Sequence, residues 1–259
     1  MTPPDSTTIQ PLCELRAATV AATRAPSVAL LEGVNWKVME GDRWVVVSSA
    51  GAGKTALLLT AAGIQRPLEG EIRLFGQCLA GLRENELLPL RKQVGLVFEG
   101  GGRLFPELTV AQNIALPFAY HHSVAWEDAI VQIMPLLEWM ELGPYAKEHP
   151  KNLIRGLWPR VGLARALALS PRLLLLDHPW RGADFQERHW WRSKLAEISQ
   201  YAPSVAAWVL TGDEPGPWLS LATHLGAVHQ RQFNSFENFD AGRRWLAEHH
   251  LLASDAERR

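Results

Sequence analysis

The segment VVVSSAGAGKTALLL is the feature that most limits the fold this chain can adopt. An apolar strand runs into a loop containing Gly51 and Gly53, and Lys54 and Thr55 then open an apolar helix. Glycines let such a loop turn tightly enough for its amides to surround a polyphosphate. The helix N-terminus adds a positive dipole, the lysine reaches terminal phosphates, and the threonine hydroxyl binds Mg²⁺. The segment therefore predicts a strand, a phosphate-binding loop and a helix.

The predicted nucleotide contacts are consecutive along this loop and the start of its helix. They are Ser48, Ser49, Ala50, Gly51, Ala52, Gly53, Lys54, Thr55 and Ala56. Ser48 replaces the first glycine of the usual pattern, so a glycine-rich turn that only joins strand to helix stays an alternative. The segment RLLLLD makes this alternative less favoured, because Asp177 ends a second buried strand at the position where an acidic residue holds Mg²⁺. Asp177 could instead cap a helix or turn. We predict ATP and Mg²⁺ as cofactors, with Thr55 and Asp177 as metal ligands.

Apolar strands alternate with helical segments along the rest of the chain, which predicts a largely parallel sheet in an α/β fold. Residues 110–142 look mostly helical, with breaks expected at Pro117 and Pro135. A helix is expected over residues 234–249, and the polar residues 253–259 are expected to form a loose tail.

Composition restricts the possible partners. The formal net charge is -1, so no long-range field would attract nucleic acid, and we expect no nucleic-acid partner. Two cysteines, Cys13 and Cys78, are too few for a disulfide framework. The first residues lack the pattern of a signal peptide, and no apolar run approaches the ~18 residues needed to span a bilayer. A cytoplasmic location is therefore expected.

Two segments resemble the ABC ATPase family, and the resemblance extends from about Leu12 to about Phe233. LIRGLWPRVGLARALALSPRLLLLDHP is similar to the stretch from the family signature LSGGQ to the magnesium-binding strand. LRKQVGLVFEGGGRLFPELTVAQNIALPF is similar to the glutamine-loop region, with Glu99 in place of the glutamine. The resemblance therefore implies Glu99 as a third metal ligand.

The resemblance implies the fold in more detail. It is a P-loop NTPase (ABC ATPase) core with a mostly parallel sheet, an amino-terminal antiparallel β part and a helical subdomain. The implied nucleotide-binding domain covers residues 10–235, with its helical subdomain at about 100–165. Residues 236–259 would form a carboxy-terminal helix and tail.

Several catalytic positions of the family are altered. His178 stands where the family has the glutamate that polarises water, and losing a general base costs ~10²–10⁴ in rate. Gly212 stands where the family has a histidine that contacts the γ-phosphate. We therefore predict weak or absent hydrolysis. His178 and Glu99 are the remaining candidate catalytic residues. A neutral imidazole could accept a proton, but a histidine with no catalytic role is the simpler interpretation of His178.

The signature is altered too, with Ile154, Arg155 and Leu157 in place of a serine, a glycine and the glutamine. In the family this turn contacts the γ-phosphate held by the other subunit of a dimer. Arg155 would obstruct that approach or act as an arginine finger, and a solvated or scaffold-paired arginine is the alternative. Asp184 matches an acidic residue that braces the dimer. The segment TVAATRAPS lacks the aromatic residue that stacks on adenine.

The resemblance implies an ATP-binding subunit that works as a homodimer or a heterodimer with another ABC subunit. Its partner would be an integral membrane permease, and it would lie on the inner face of the cell membrane. The motifs look closest to the cassettes of Mla/Mce-type lipid transporters and of amino-acid importers, and the lipid group is ranked first. The alternative is a non-catalytic regulatory or assembly subunit that binds nucleotide without turnover. A soluble ABC protein acting on DNA or ribosomes is disfavoured by the near-neutral charge.

Overall fold

The strands form two sheets in the computed structural model, which describes residues 10–236 and 238–251. The smaller sheet is antiparallel and has the order β2-β1-β4-β5. Its strands are β1 (Cys13–Ala22), β2 (Ala25–Val38), β4 (Glu69–Leu74) and β5 (Gln77–Cys78). The amino-terminal antiparallel part predicted from the sequence is thereby confirmed.

The larger sheet has six strands in the order β10-β9-β3-β8-β7-β6. They are β3 (Arg43–Val47), β6 (Val94–Val97), β7 (Leu173–Asp177), β8 (Ala207–Gly212), β9 (His224–His229) and β10 (Gln232–Phe236). All neighbours are parallel except β10, which pairs antiparallel with β9. The predicted mostly parallel sheet is therefore confirmed.

Helices follow the strands and cover both sheets. They are α1 (Lys54–Ala61), α2 (Glu84–Arg91), α3 (Val110–His122), α4 (Trp126–Trp139), α5 (Trp158–Leu167), α6 (Phe185–Tyr201) and α7 (Phe239–Glu248). Helices α3, α4 and α5 pack on one another in the region expected to be a helical subdomain. Within the described residues, the model contains no helix with the length and apolar character that a membrane span requires.

The large sheet is buried on both faces because its strand residues alternate between two apolar clusters. Val45 and Val47 of β3 pack with the cluster formed by α3 to α7. Trp44 and Val46 of the same strand pack with the cluster formed by α1 and the small sheet. The strand that leads into the glycine loop is thus fixed from both sides, which positions the loop.

Two predictions about helices were wrong. Pro117 and Pro135 lie inside α3 and α4, and the break falls between them, where Ser123 adopts a left-handed conformation (φ 53°). A proline removes only one backbone hydrogen-bond donor, so the turns on either side of it can still form. Residues 234–236 belong to β10 and not to the last helix, which begins at Phe239 after its cap Asn238. The predicted tail, residues 253–259, lies outside the described residues.

Candidate functional site

The candidate site lies where the parallel strands β3, β7 and β8 end side by side. Parallel strands place the loops at their carboxyl ends together, which is where open α/β sheets bind ligands. A cavity of about 210 Å³ opens there. Residues of the glycine loop, of the loop after β7 and of the loop after β8 line it, which brings together segments far apart in the sequence.

The glycine loop uses left-handed backbone at two positions. Gly51 has φ +79°, and Gly53, the residue before α1, has φ +107°. A side chain at Gly53 would also approach Leu30, whose Cβ lies 3.4 Å from the position of an added Cβ. Glycine is the residue that adopts this conformation at little cost. The loop therefore has the shape that the sequence predicts for a phosphate cradle.

Lys54 points into the cavity and is held by oxygen atoms. Its Nζ donates to the Ser48 carbonyl oxygen at 2.7 Å and to Ser48 Oγ at 3.1 Å. It also donates to Asp213 Oδ1 at 2.7 Å. Burial alone would raise the pKa of Asp213, but the hydrogen bond and charge of Lys54 outweigh it and lower that pKa. The ammonium group of Lys54 is thus paired with an ionised carboxylate.

Thr55 and Asp177 meet next to this lysine. The Thr55 hydroxyl donates to Asp177 Oδ2 at 2.6 Å, and the Thr211 hydroxyl donates to Oδ1 at 3.1 Å. Asp177 is 4% exposed, and Thr55 lies at the start of α1 on the cavity wall. A hydroxyl and a carboxylate in contact fit Mg²⁺, which keeps several waters and takes few protein ligands. The described residues contain no cluster of three or more His, Cys, Asp or Glu that could hold a metal by themselves.

His178 follows Asp177 and has an unusual backbone, with φ +44°. Its backbone N–H donates to Thr211 Oγ1, and its Nδ1 lies 3.8 Å from Asp213 Oδ2. Burial lowers the pKa of His178 below its ordinary value, against the opposing charge of Asp213. Burial therefore favours the neutral form of the imidazole, which lines the cavity wall.

The space beside Gly212 is filled by an indole ring. A Cβ added at Gly212 would lie 2.9 Å from Trp180 Cζ2, which is too close for an ordinary contact. Trp180 is itself buried, and its ring stacks on that of Trp218 with centroids 3.9 Å apart. Trp180 therefore takes the room that any side chain at position 212 would need.

Glu99 lines the same cavity but contacts an arginine instead of Asp177. Arg181 Nη1 donates to Glu99 Oε1 at 3.1 Å and to Oε2 at 3.0 Å. Both side chains are about half exposed. Arg181 was not among the residues predicted from the sequence, because only the fold brings it to Glu99. The role of Glu99 as a metal ligand stays a prediction.

The altered signature lies on the wall of a neighbouring cavity of about 260 Å³. Arg155 begins a short 3₁₀ turn that continues to Leu157, and its guanidinium carbon lies 6.0 Å from the centre of the Trp158 ring. Arg155, Gly156 and Arg181 line this second cavity. The side chain of Asp184 caps α6 by accepting from the Glu187 N–H at 2.9 Å. The structure thus gives Asp184 a local role.

Ser48, Ser49 and Ala52 lie in the loop, and Ala50 and Ala56 line the cavity with the two glycines, Lys54 and Thr55. Thr23 and Leu30 form another part of the wall. No Phe, Tyr or Trp is among the described residues that line it.

Residues 31–181 match a family model described as ABC transporter. The methionine import ATP-binding protein MetN of Rhizobium johnstonii is 36% identical over 161 residues, which cover 62% of this chain and 44% of that protein. The spermidine/putrescine import ATP-binding protein PotA of Pseudomonas aeruginosa is 33% identical over 220 residues, covering 85% of this chain and 57% of that protein. The chain thus spans roughly half the length of these relatives.

Solved structures show the same fold. The dimeric ATP-binding cassette MJ0796, bound to ADP and Pi, superposes with a TM-score of 0.76 at 23% identity, covering 88% of this chain and all (100%) of that one. The CbiO1 protein of Clostridium perfringens, part of the CbiONQ transporter complex, gives 0.75 at 17% identity, covering 93% and 92%. Since the family model matches more than half of the sequence, the chain belongs to the ABC transporter family and has the fold of its ATP-binding cassettes.

Proposed function

We propose that this protein is the ATP-binding subunit of an ABC membrane transporter and that it binds Mg-ATP with weak or no hydrolysis. The observation that carries the proposal is the position of Thr55, whose hydroxyl meets Asp177 directly beside Lys54. A cation, a metal-binding pair and a left-handed glycine loop in one cavity are the parts that bind a nucleoside triphosphate. When bound, Mg²⁺ neutralises charge on the phosphates.

The residues of this chain divide the work of binding. The amides of the glycine loop and the N-terminus of α1 face the phosphates, because α1 begins at Lys54 directly after Gly53. Lys54 would exchange its bond to Asp213 for contacts to the phosphates. Thr55 and Asp177 would hold the metal, and Thr211 orients the Asp177 carboxylate through its hydroxyl.

Slow chemistry follows from the groups near the phosphates. In its neutral form His178 could accept a proton from water, but its Nδ1 lies 3.8 Å from Asp213 Oδ2, and the described residues give the ring no shorter hydrogen bond that would orient it. Gly212 contributes no side chain, and Trp180 fills the space beside it. A poorly oriented base would leave most of the usual rate enhancement unrealised.

A membrane partner is part of the proposal. The segment from Glu99 to Asn113 and the helices after it would face the permease. Phe105 in this segment is 48% exposed, and Phe98, directly before it, is 38% exposed. Asn113 is buried and fixes this segment, since its side chain exchanges hydrogen bonds with the backbone of Phe105. The similarity to methionine and polyamine import proteins supports small-solute import, and the lipid cargo suggested by the motifs is the alternative cargo.

Phosphate release from Mg-ATP tests the proposal, measured with wild type and Lys54→Ala purified in parallel. ATP binding is measured on the same samples by calorimetry. We expect binding that is lost in Lys54→Ala, together with slow phosphate release or none. Equal binding by both proteins would refute the proposal. Co-purification with a permease from the native membrane would test the transporter assignment.

A second function is favoured by the Trp180–Gly212 contact. A subunit that uses nucleotide only to hold an assembly together needs the phosphate loop and the metal pair, but not a hydrolytic group at position 212. The two functions differ in the permease partner. Nucleotide binding without phosphate release that depends on Lys54, and without a permease that co-purifies from the native membrane, would select the regulatory or assembly role.

A further inference from the structure

We propose that Arg181 is a second phosphate-binding cation of this site, which contacts the terminal phosphate of ATP from within the same chain. The proposal rests on the proposed function, since it concerns the nucleotide that Lys54 binds. It assigns to this chain a residue that distinguishes a triphosphate from a diphosphate.

Arg181 lies on the loop after β7, four residues beyond Asp177, and lines the same cavity as Lys54. It also lines the second cavity, next to Arg155 of the altered signature turn. Its side chain is 51% exposed, so it has room to change partners. Among the described residues that line the nucleotide cavity, Lys54 and Arg181 are the arginines and lysines.

Three carboxylates line the nucleotide cavity, and two of them are paired with its two cations. Asp213 binds Lys54, and Glu99 binds Arg181 through both of its oxygens. Both Glu99 oxygens accept from one nitrogen of Arg181, Nη1, and a guanidinium binds phosphate oxygens through the same kind of charge-assisted hydrogen bond. A bound triphosphate would replace both internal carboxylates.

The shared electrostatics of the two cations support this arrangement. Burial acts to raise the pKa of Asp213, while Lys54 and, with a smaller effect, Arg181 lower it. Arg181 is thus close enough for its charge to act on the carboxylate that holds Lys54. A phosphate taken by Lys54 would lie within the field of the Arg181 guanidinium.

The end of β8 lacks a side chain that could contact the terminal phosphate. Gly212 provides no side chain at the end of β8, and the indole of Trp180 closes the space beside it. The loop that carries Trp180 carries Arg181 as the next residue, and the glycine that follows, Gly182, has φ +74°. The same loop therefore fills the position beside Gly212 and brings a cation to the cavity.

Calorimetric titrations with Mg-ATP and Mg-ADP test the proposal, using wild type, Arg181→Ala, Lys54→Ala and the matched control Arg188→Ala. Arg188 forms a comparable half-exposed pair with Glu214 at 3.0 Å and is not among the residues lining the nucleotide cavity. Thermal unfolding of each variant confirms that it is folded. Arg181→Lys serves as a second variant that keeps the positive charge and loses the planar guanidinium group.

We expect Arg181→Ala to weaken ATP binding about 10-fold or more and ADP binding by less than about 3-fold, because one charge-assisted contact is lost only for ATP. Arg181→Lys should fall between wild type and Arg181→Ala, and Arg188→Ala should bind like wild type. An equal loss for ATP and ADP, or no loss, would overturn the proposal. Loss of binding in Lys54→Ala beside unchanged binding in Arg181→Ala would leave the proposed function standing alone. Equal ATP binding by wild type and Lys54→Ala would refute both the proposed function and the role of Arg181.

Discussion

Lys54 Nζ and Asp213 Oδ1 lie 2.7 Å apart, so a carboxylate of the chain itself pairs with the phosphate-binding lysine. The lysine side chain is 9% exposed and the aspartate 45%, which makes Asp213 the partner with more freedom to move. Nucleotide binding has to break this pair. The affinity of the site for ATP is therefore lower than the affinity an unpaired lysine would give.

Asp213→Asn should strengthen ATP binding several-fold, because it removes a negative charge beside the phosphates and weakens the competing bond to Lys54. The gain should stay below about 10-fold, since a half-exposed ion pair contributes at most about 1 kcal/mol. Calorimetry with Mg-ATP measures it, and Glu214→Gln, at the next position in the chain, is the control. Weaker binding by Asp213→Asn than by the control would contradict the competition.

Thr55→Val should remove most of the effect of Mg²⁺ on ATP binding. The variant keeps the size of the side chain and loses the hydroxyl that meets Asp177 at 2.6 Å. We expect affinity in Mg²⁺ to fall by about 10-fold or more, with little change in excess EDTA. Thr60→Val is the control, because the Thr60 hydroxyl is buried in α1 and bonds to the Ala56 carbonyl. An undiminished response to Mg²⁺ in Thr55→Val would argue against the metal pair.

Gly212→Ala should lower the free energy of unfolding by about 1–3 kcal/mol, the usual cost of overpacking a core. The cause is the 2.9 Å approach of an added Cβ to Trp180. Urea unfolding measures it against Gly143→Ala, where an added Cβ meets nothing within 4 Å. The double variant Gly212→Ala/Trp180→Phe should show a non-additive, smaller total loss. Additive losses would mean that Trp180 is not the cause.

Cys13 should resist thiol reagents in the folded protein, whereas Cys78 should react. Burial, with a smaller effect of Glu14, raises the pKa of Cys13 to about 12. Cys13 is 1% exposed, and its thiol donates to the Ala61 carbonyl oxygen. At about pH 8 the Cys13 thiol therefore stays protonated and covered, and the thiolate is the reactive form. Labelling of a Cys78→Ser variant with and without urea measures this. Rapid labelling of Cys13 without urea would refute it.

Most of the fold was predictable because apolar runs and glycines act locally. The strand before Ser48, the helix after Gly53 and the buried strand ending at Asp177 each carry their own pattern. Strand β10 was missed because QFNSF has few apolar residues and gains its order by pairing with β9. The breaks predicted at the prolines inside α3 and α4 do not occur, since packing on neighbouring helices compensates for a single lost hydrogen bond.

The candidate site was predictable only in part. Lys54, Thr55 and Asp177 follow from motifs, and the structure brings them together in one cavity. The contact between Glu99 and Arg181 joins positions 82 residues apart, and the contact between Trp180 and Gly212 depends on how two loops pack. Such contacts leave no periodic signal in a single sequence. In the sequence, Asp213 is recognisable only as an acidic residue directly after a buried strand.

The packing of Trp180 against Gly212 also determines which substitutions this cassette tolerates. A larger residue at position 212 would collide with the indole, and a smaller residue at position 180 would leave a void beside Trp218. Either change alone passes through a destabilised protein. A side chain at the end of β8 is therefore least costly when positions 180 and 212 change together, so the two positions have to be redesigned as a pair.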